Sequence, residues 1–596
     1  MQVDPRSVAS DWLATFARAA GSADAGAVAA TFLPAGWLRD LLVFTWDIRS
    51  LEGREKIAAY LSDTLRPSTI ADIKLDDRPF LAPRTFSVPH SSHATGVEIA
   101  FTFECAHGHG RANARLVPGD DGVFRALAVM TELHDIPGHE ESETLPLRDD
   151  LTGIPGRDMQ KEFKEWVKEV EANPYVLIVG GGHTALQVAA RCKQMNIRAL
   201  VVERSDRIGD SWRKRYPTLT LHTVKRHHSM LYLPFPTNWP EFTPRDKIAD
   251  WLEHYASIQD LVVWTNAELK TKPVYHPERG DWDVTIFREG FNVKLRPAHI
   301  VFATGTLGRP HMPDLPDVDL FPGAVMHSQH YAGAAPYAGK RAVVVGAGNS
   351  SIDICQDLVL HGAESVTMVQ RSQTCVCDRE YAAEGLRQSF PEDVPLAVAD
   401  FQWASLPVGL LKKLAIADQH SVWDANKELH EKLRRGGLRL DMGPEGQGIY
   451  LLTLERAGGA LDAWMDKGGA DMIGDGRIKV KNGISPQRFS KNGLIMSDGS
   501  ELSADVVIFA TGFVHMREAN AELLGEEVLN QTDAVYGLDE EGEIKGSYRP
   551  SGYPRLWFAT GDFFISRFMS KTLALQLKAI QLGLLEHDGR RVGLKR

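Results

Sequence analysis

A chain of 596 residues, 43% hydrophobic and 24% charged, has the composition of a globular protein of about three to four domains with a large core. Its net charge of −11, from 67 basic and 78 acidic residues, argues against a general nucleic-acid or anionic-membrane binder. Five cysteines without disulfide-like spacing point to a reducing, cytoplasmic setting. No basic-then-apolar leader opens the chain, and no apolar run reaches bilayer length.

In chain order, residues 1–137 read as a separate α+β unit. Apolar periodicity predicts helices over Val8–Ala19, Ala25–Phe32 and Arg54–Thr64, then strands over Val97–Cys105, Arg111–Val117 and Val123–Leu133. Turn segments His107–Gly110 and Gly119–Gly122 separate the strands. Helices first and a curved antiparallel sheet afterwards is similar to the nuclear-transport-factor-2-like cone. In this unit Trp46, Asp47 and Arg49 could line a pocket, but packing, dimerising or capping is the favoured role, and a homodimer is one arrangement the sequence admits. Residues 138–174 read as a polar linker carrying one helix, Gln160–Ala172.

Next comes a short β-branched strand, Val176–Val179, that runs into Gly180-Gly181-Gly182 and a helix bearing Ala185. A turn this tight needs glycine so that the backbone can approach a pyrophosphate, and the helix N-terminus behind it adds partial positive charge. The following strand ends at Glu203, roughly twenty residues on, where a carboxylate accepts ribose hydroxyls and repels a 2′-phosphate. This unit is expected to bind FAD. The pattern recurs at Ala342–Val345, followed by Gly346, Gly348, Asn349, Ser350 and Ser351. Its second strand ends in Arg371 and Ser372 rather than an acid, which favours the extra phosphate of NADPH. The expected fold class is α/β, with two Rossmann-like dinucleotide domains after an α+β cone. Residues 175–333 and 485–596 form the FAD domain and 334–484 the NADPH domain. The apolar residues of Leu573–Leu585 fall on one face, as in a core-docked helix. Cys375 and Cys377 are spaced C-x-C and Cys192 lies inside a helix, so thiol redox chemistry is not expected.

Between the turns stands Phe321-Pro322-Gly323-Ala324-Val325-Met326-His327-Ser328-Gln329-His330-Tyr331. This F-x-G-x-x-x-H-x-x-x-Y pattern resembles the identifying sequence of flavin-containing monooxygenases. Gly209–Arg213, with Trp212 and Arg213, resembles the family's flavin-side segment. Ala303-Thr304-Gly305 and Ala510-Thr511-Gly512 resemble its strand-end turns, and Leu221 to Pro236 resembles the stretch near the flavin ring in the branch with the plant auxin-forming enzymes. The resemblance covers about residues 175–590. It implies that NADPH reduces FAD, that the reduced flavin takes O2 to a C4a-(hydro)peroxyflavin, and that one oxygen atom passes to nitrogen or sulfur of a small organic substrate. It also implies cofactor-binding roles for Phe321, Gly323, His327, Tyr331, Thr304, Thr511, Gly512 and Asp562, with His327 serving mainly linker geometry, and no metal.

Two departures from the family bear on chemistry. The asparagine that in animal members sits beside nicotinamide and flavin falls at His222 or Thr223, the catalytic candidates. Tyr331-Ala332 stands where Baeyer–Villiger members usually carry tryptophan and then proline or aspartate, which lowers the expectation of ester formation. The rival readings are a Baeyer–Villiger oxygenase, an uncoupled NADPH oxidase, and a binding or assembly protein with a vestigial flavin domain.

Overall fold

The computed structural model describes residues 3–88, 94–142, 144–145, 158–455, 463–586 and 589. Part of the predicted linker lies outside these residues; its helix is present at Met159–Ala172, capped by the Asp158 side chain.

The first 137 residues open on helices Pro5–Gly21 and Ala25–Ala30, capped by Asp4 and Asp24, and strands Phe32–Leu41 and Ile48–Glu52 come before the third helix, Arg54–Ser68, so the helices do not all precede the sheet as expected. Seven strands form one sheet. Its long central members, Thr95–Cys105, Gly108–Pro118 and Phe124–Asp135, pair antiparallel. Phe124–Asp135 pairs in parallel with Phe32–Leu41, which the sequence reading did not find. Pro34 and Gly36 break the alternation there, and the register shifts between Phe32 and Trp37. A Cβ at Gly36 would sit 2.7 Å from the Ala126 carbonyl, so glycine allows the strands to close. The helix expected to reach Phe32 therefore ends at Ala30. The hairpin turn expected over His107–Gly110 is shorter, because Gly108 already pairs with Cys105.

Two five-stranded parallel sheets follow, built from runs of Val, Ile and Leu buried on both faces. The first has the order Val262–Trp264, Ala199–Val202, Val176–Val179, His299–Phe302, Leu556–Phe558. The second runs Ala324–His327, Val506–Phe509, Arg341–Val345, Ser365–Gln370, Ile478–Asn482. In each, a glycine turn leaves the carboxyl end of an internal strand and enters a helix, His183–Gln194 or Asn349–Leu360. That is where ligands sit in open α/β sheets.

The core-docked C-terminal helix begins earlier than expected and spans Phe563–Gln581. It packs along His183–Gln194, with the Thr184 and Ser566 hydroxyls 2.8 Å apart and Arg191 donating to the Arg567 carbonyl at 2.9 Å. It also meets the N-terminal unit: Trp12, Phe101 and Leu133 belong to the same continuous core as Tyr548, Trp557, Leu573 and Leu577. Ion pairs bury themselves in this seam. Asp47 takes both Nε and Nη2 of Arg549, at 2.9 and 3.0 Å, and Arg39 forks onto Glu543. Arg49 forks in the same way onto Glu541.

Candidate cofactor and active site

Gly180 has φ of +109°, and a Cβ there would lie 2.5 Å from the Ala303 carbonyl, so both conformation and space demand glycine. Gly182 differs: its φ is −79° and a Cβ would meet nothing within 4 Å. It caps helix His183–Gln194 without a side-chain hydrogen bond, which leaves the first-turn amides free for an anion. Ala185 is fully buried behind it. Glu203 stands just past its strand and accepts from the Gly181 and Ser205 amides, each at 2.7 Å. Beyond it, Asp206, Ile208, Glu253 and Thr265 line a cavity of about 320 Å³. These features fit a dinucleotide whose pyrophosphate crosses Gly182.

The second turn repeats the design. Gly346 has φ of +125°, with a Cβ position 2.4 Å from the Ala510 carbonyl. Gly348 caps helix Asn349–Leu360, again without a side-chain bond. Asn349 Oδ1 and Ser351 Oγ are buried with no protein partner, and Ser350 is half-buried between them. Buried polar atoms need partners, so these two fit a bound nucleotide. Arg371 and Ser372 are exposed at the strand end.

His222 bridges the two units. Its Nε2 lies 3.1 Å from Asp353 Oδ2, on the helix behind the second turn, and its Nδ1 is buried without a partner. Tyr216 donates to the same carboxylate at 2.8 Å, and Lys467 pairs with it at 3.0 Å. Burial alone would raise the Asp353 carboxyl, but His222 and Lys467 hold it down to about 2. Thr223 Oγ1 lies 3.0 Å from His228 Nε2. Burial, reinforced by His227, pushes the His228 imidazole down to about 3. The ring is thus neutral, with Nδ1–H donating to the Val224 carbonyl and Nε2 free to accept from Thr223.

Asp562 caps the C-terminal helix by accepting from the Ile565 amide at 2.8 Å, and takes His227 Nε2 at 3.0 Å. Burial opposes its charge, but the His227 contact outweighs this and holds the carboxyl well below the usual range. The preceding residue, Gly561, contacts His183 Nε2 at 3.2 Å through its carbonyl, which sets Asp562 beside the first turn.

The remaining candidates fall into two groups. Trp212 flanks Phe563, with ring centroids 6.4 Å apart, whereas Arg213 is engaged with Asp250 and Glu253 at 3.0 and 2.7 Å. Thr304 accepts from Asn520 at 2.8 Å, and Thr511 donates to the His311 carbonyl. Phe321 is buried against Phe489, and a Cβ at Gly323 would sit 2.4 Å from the Asp505 carbonyl. His327 donates from Nε2 to the Gly512 carbonyl at 3.0 Å and accepts the Gln329 amide on Nδ1 at 3.1 Å. Burial lowers its pKa. Tyr331 is fully buried and donates to Asp357 at 2.7 Å. Sequence reasoning missed His183, His227, His228 and Asp353; the only available signal was the His227-His228 doublet, which follows Lys225-Arg226 and so reads as a polar surface run. A cavity of about 830 Å³ lies elsewhere, lined by Trp37, Arg49, Tyr60, Lys412 and Glu541 on the seam with the N-terminal unit.

Two nucleotide turns, in units joined by the His222–Asp353 contact, define a flavoprotein oxidoreductase of the two-dinucleotide class. Residues 174–421 match the flavin-binding monooxygenase-like family model. The chain is 31% identical over 355 residues to indole-3-pyruvate monooxygenase YUCCA1 of Oryza sativa subsp. japonica, covering 59% of this chain and 79% of that protein. It is also 31% identical over 344 residues to the probable indole-3-pyruvate monooxygenase YUCCA7 of Arabidopsis thaliana, covering 56% and 73%. Among solved structures it is similar to a flavin-containing monooxygenase from Stenotrophomonas maltophilia, at 18% identity and a TM-score of 0.46 over 69% of this chain and 99% of that one. The chain belongs to the flavin-binding monooxygenase-like family: it is a flavin-dependent monooxygenase using FAD and NADP(H). Among the described residues no helix is long and apolar enough to cross a membrane.

Proposed function

We propose that the enzyme transfers one oxygen atom from O2 to a nitrogen or sulfur of a small organic substrate, with NADPH as electron donor. The observation that carries the cofactor arrangement is the pair of helix N-termini without side-chain caps, one opening on space at Gly182 and the other flanked by the orphaned Asn349 Oδ1 and Ser351 Oγ. Gly180, Gly182 and Ala185 would hold the FAD pyrophosphate, Glu203 its ribose, and Trp212, Arg213, Thr304 and Asp562 the rest of the flavin cradle. Gly346, Gly348, Asn349, Ser350, Ser351, Arg371 and Ser372 would hold NADPH. Phe321, Gly323, His327, Tyr331, Thr511 and Gly512 would fix the passage between the two units. Bound FAD supplies hydride acceptance and oxygen activation; the chain aligns the two cofactors and excludes water. The first 137 residues are read as a nuclear-transport-factor-2-like cone, followed by the linker from 138 and the first nucleotide unit from 175; because the second sheet takes in Ala324–His327 and Val506–Phe509, the boundaries expected at 334 and 485 move to before residue 324 and after residue 509. The five free cysteines support a cytoplasmic setting, and light scattering tests for a homodimer.

The substrate class is tested by product analysis with amines, sulfides and ketones under NADPH turnover. N- or S-oxides are expected; an ester from a ketone would establish the Baeyer–Villiger alternative despite Tyr331-Ala332.

Coenzyme choice tests the second turn. Among the described residues Arg371 makes no hydrogen bond or ion pair, and it projects from an exposed strand end. Arg371→Ala is expected to lower the NADPH-to-NADH ratio of kcat/KM by roughly tenfold to a hundredfold, the usual cost of one charge-assisted phosphate contact. An unchanged ratio would place the 2′-phosphate elsewhere.

Thr223 and His222 are the candidate catalytic side chains. Hydride transfer depends on cofactor stacking, whereas retention of activated oxygen depends on local hydrogen bonds and dryness. Thr223→Ala should therefore leave NADPH-driven flavin reduction near normal and raise hydrogen peroxide released per NADPH. Slow reduction with unchanged peroxide release would move the residue to the hydride step.

A further inference from the structure

The short helix Leu396–Ala404 lies between the N-terminal unit and the first cofactor turn, and both sides grip it. Arg39 donates to the Ala404 carbonyl at 2.5 Å. Arg115 donates to the Gln402 carbonyl at 3.0 Å and to Ser405 Oγ at 2.6 Å. Gln402 returns a bond to the Phe80 carbonyl at 2.8 Å, and the Arg111 guanidinium lies 4.3 Å over the Phe401 ring. Two cations from the N-terminal unit thus satisfy carbonyls at the C-terminal end of the helix, where intrahelical partners run out and the dipole is negative. A helix of nine residues is too short to hold itself.

The same helix also meets the site. Asp400 takes a bidentate fork from Arg567, at 2.7 and 2.6 Å, with both groups buried. Arg567 also donates to the carbonyls of His227 and Ser229. Phe390, just ahead of the helix, sets its ring 5.1 Å from His227. His227 is 4% exposed, holds Asp562 through Nε2, and keeps Nδ1 without a partner. The chain of contacts runs unbroken from Arg39 and Arg115 to the carboxylate beside the Gly182 turn.

We propose that the N-terminal unit positions the active-site wall: Arg39 and Arg115 clamp helix Leu396–Ala404, and through Asp400 that helix fixes Arg567, His227 and Asp562 against the flavin. The proposal rests on the reading of the Gly182 turn as the flavin site. It makes Arg39, Arg115 and Asp400 positioning residues, although the first two belong to a unit that carries none of the nucleotide-binding pattern.

The test is Arg115→Met in the full-length holoprotein. This change keeps the side-chain stem and leaves Glu98 with Arg84 and Asn113 as partners. Flavin content and anaerobic reduction by NADPH are expected to stay near wild type. Hydrogen exchange at residues 396–405 should quicken, acrylamide quenching of flavin fluorescence should rise several-fold, and more hydrogen peroxide should be released per NADPH. Faster exchange with unchanged quenching and unchanged peroxide release would overturn the inference, because the helix would then be loose without effect on the flavin. If Arg115→Met does not fold, Gln402→Ala, which removes only the bond to Phe80, is read by the same criteria. Wild-type protein that takes up no flavin would overturn the underlying reading as well, whereas the variant result bears on the inference alone.

Discussion

Gly182→Val is expected to give a folded but colourless protein. At Gly182 the backbone is one that valine adopts readily, and the added side chain meets no protein atom, so the fold should tolerate it. The branched side chain would instead fill the space across which the pyrophosphate must pass. Gly180→Ala should behave in the opposite way. Its positive φ and the Ala303 carbonyl at 2.5 Å leave no room for a Cβ, so the protein itself should be destabilised. Thermal unfolding and flavin absorbance separate the two outcomes. A fully flavinylated Gly182→Val protein would show that the first turn does not hold the FAD.

The second large effect is expected at the seam. Arg549→Met leaves Asp47, which is wholly buried, without its bidentate partner. Removing one member of such a buried pair costs about 3–5 kcal/mol, because the other charge stays buried without its matching ion. Asp47→Asn should weaken the same contact from the other side. Residues 175–596 hold every motif of both nucleotide turns, so from those motifs alone a fragment starting near Met159 would be expected to bind FAD and oxidise NADPH. The shared core argues otherwise: removal of the first 158 residues would open that core and strip Arg549 of Asp47, Glu543 of Arg39 and Glu541 of Arg49. The shortened protein is expected to aggregate or to lose flavin. Recovery of a soluble, yellow, NADPH-oxidising fragment would show that the seam contributes little.

The two nucleotide turns were legible because the constraint there is local. A strand, a glycine turn and a helix must follow one another in sequence, and Gly180 and Gly346 do adopt the positive φ that this geometry requires. The three long N-terminal strands were legible for a similar reason, through alternation and turn residues. Phe32–Leu41 was not, since Pro34 and the Gly36 bulge erase its period. The groups around Asp562 could not be read, because residues 183, 227, 390 and 562 meet only when the C-terminal helix docks on the first nucleotide helix. Nor did Arg39, Asp47 or Arg549 carry any local mark of the partners that await them across the seam.

Anaerobic titration of the purified holoprotein with NADPH, followed by admission of O2, tests the central claim most directly. The yellow of bound FAD should be bleached by stoichiometric NADPH and restored by O2. In the presence of an oxidisable amine or sulfide, oxygenated product should match the NADPH consumed, with little hydrogen peroxide released. Protein that purifies without flavin, or whose flavin NADPH fails to reduce, would contradict the assignment.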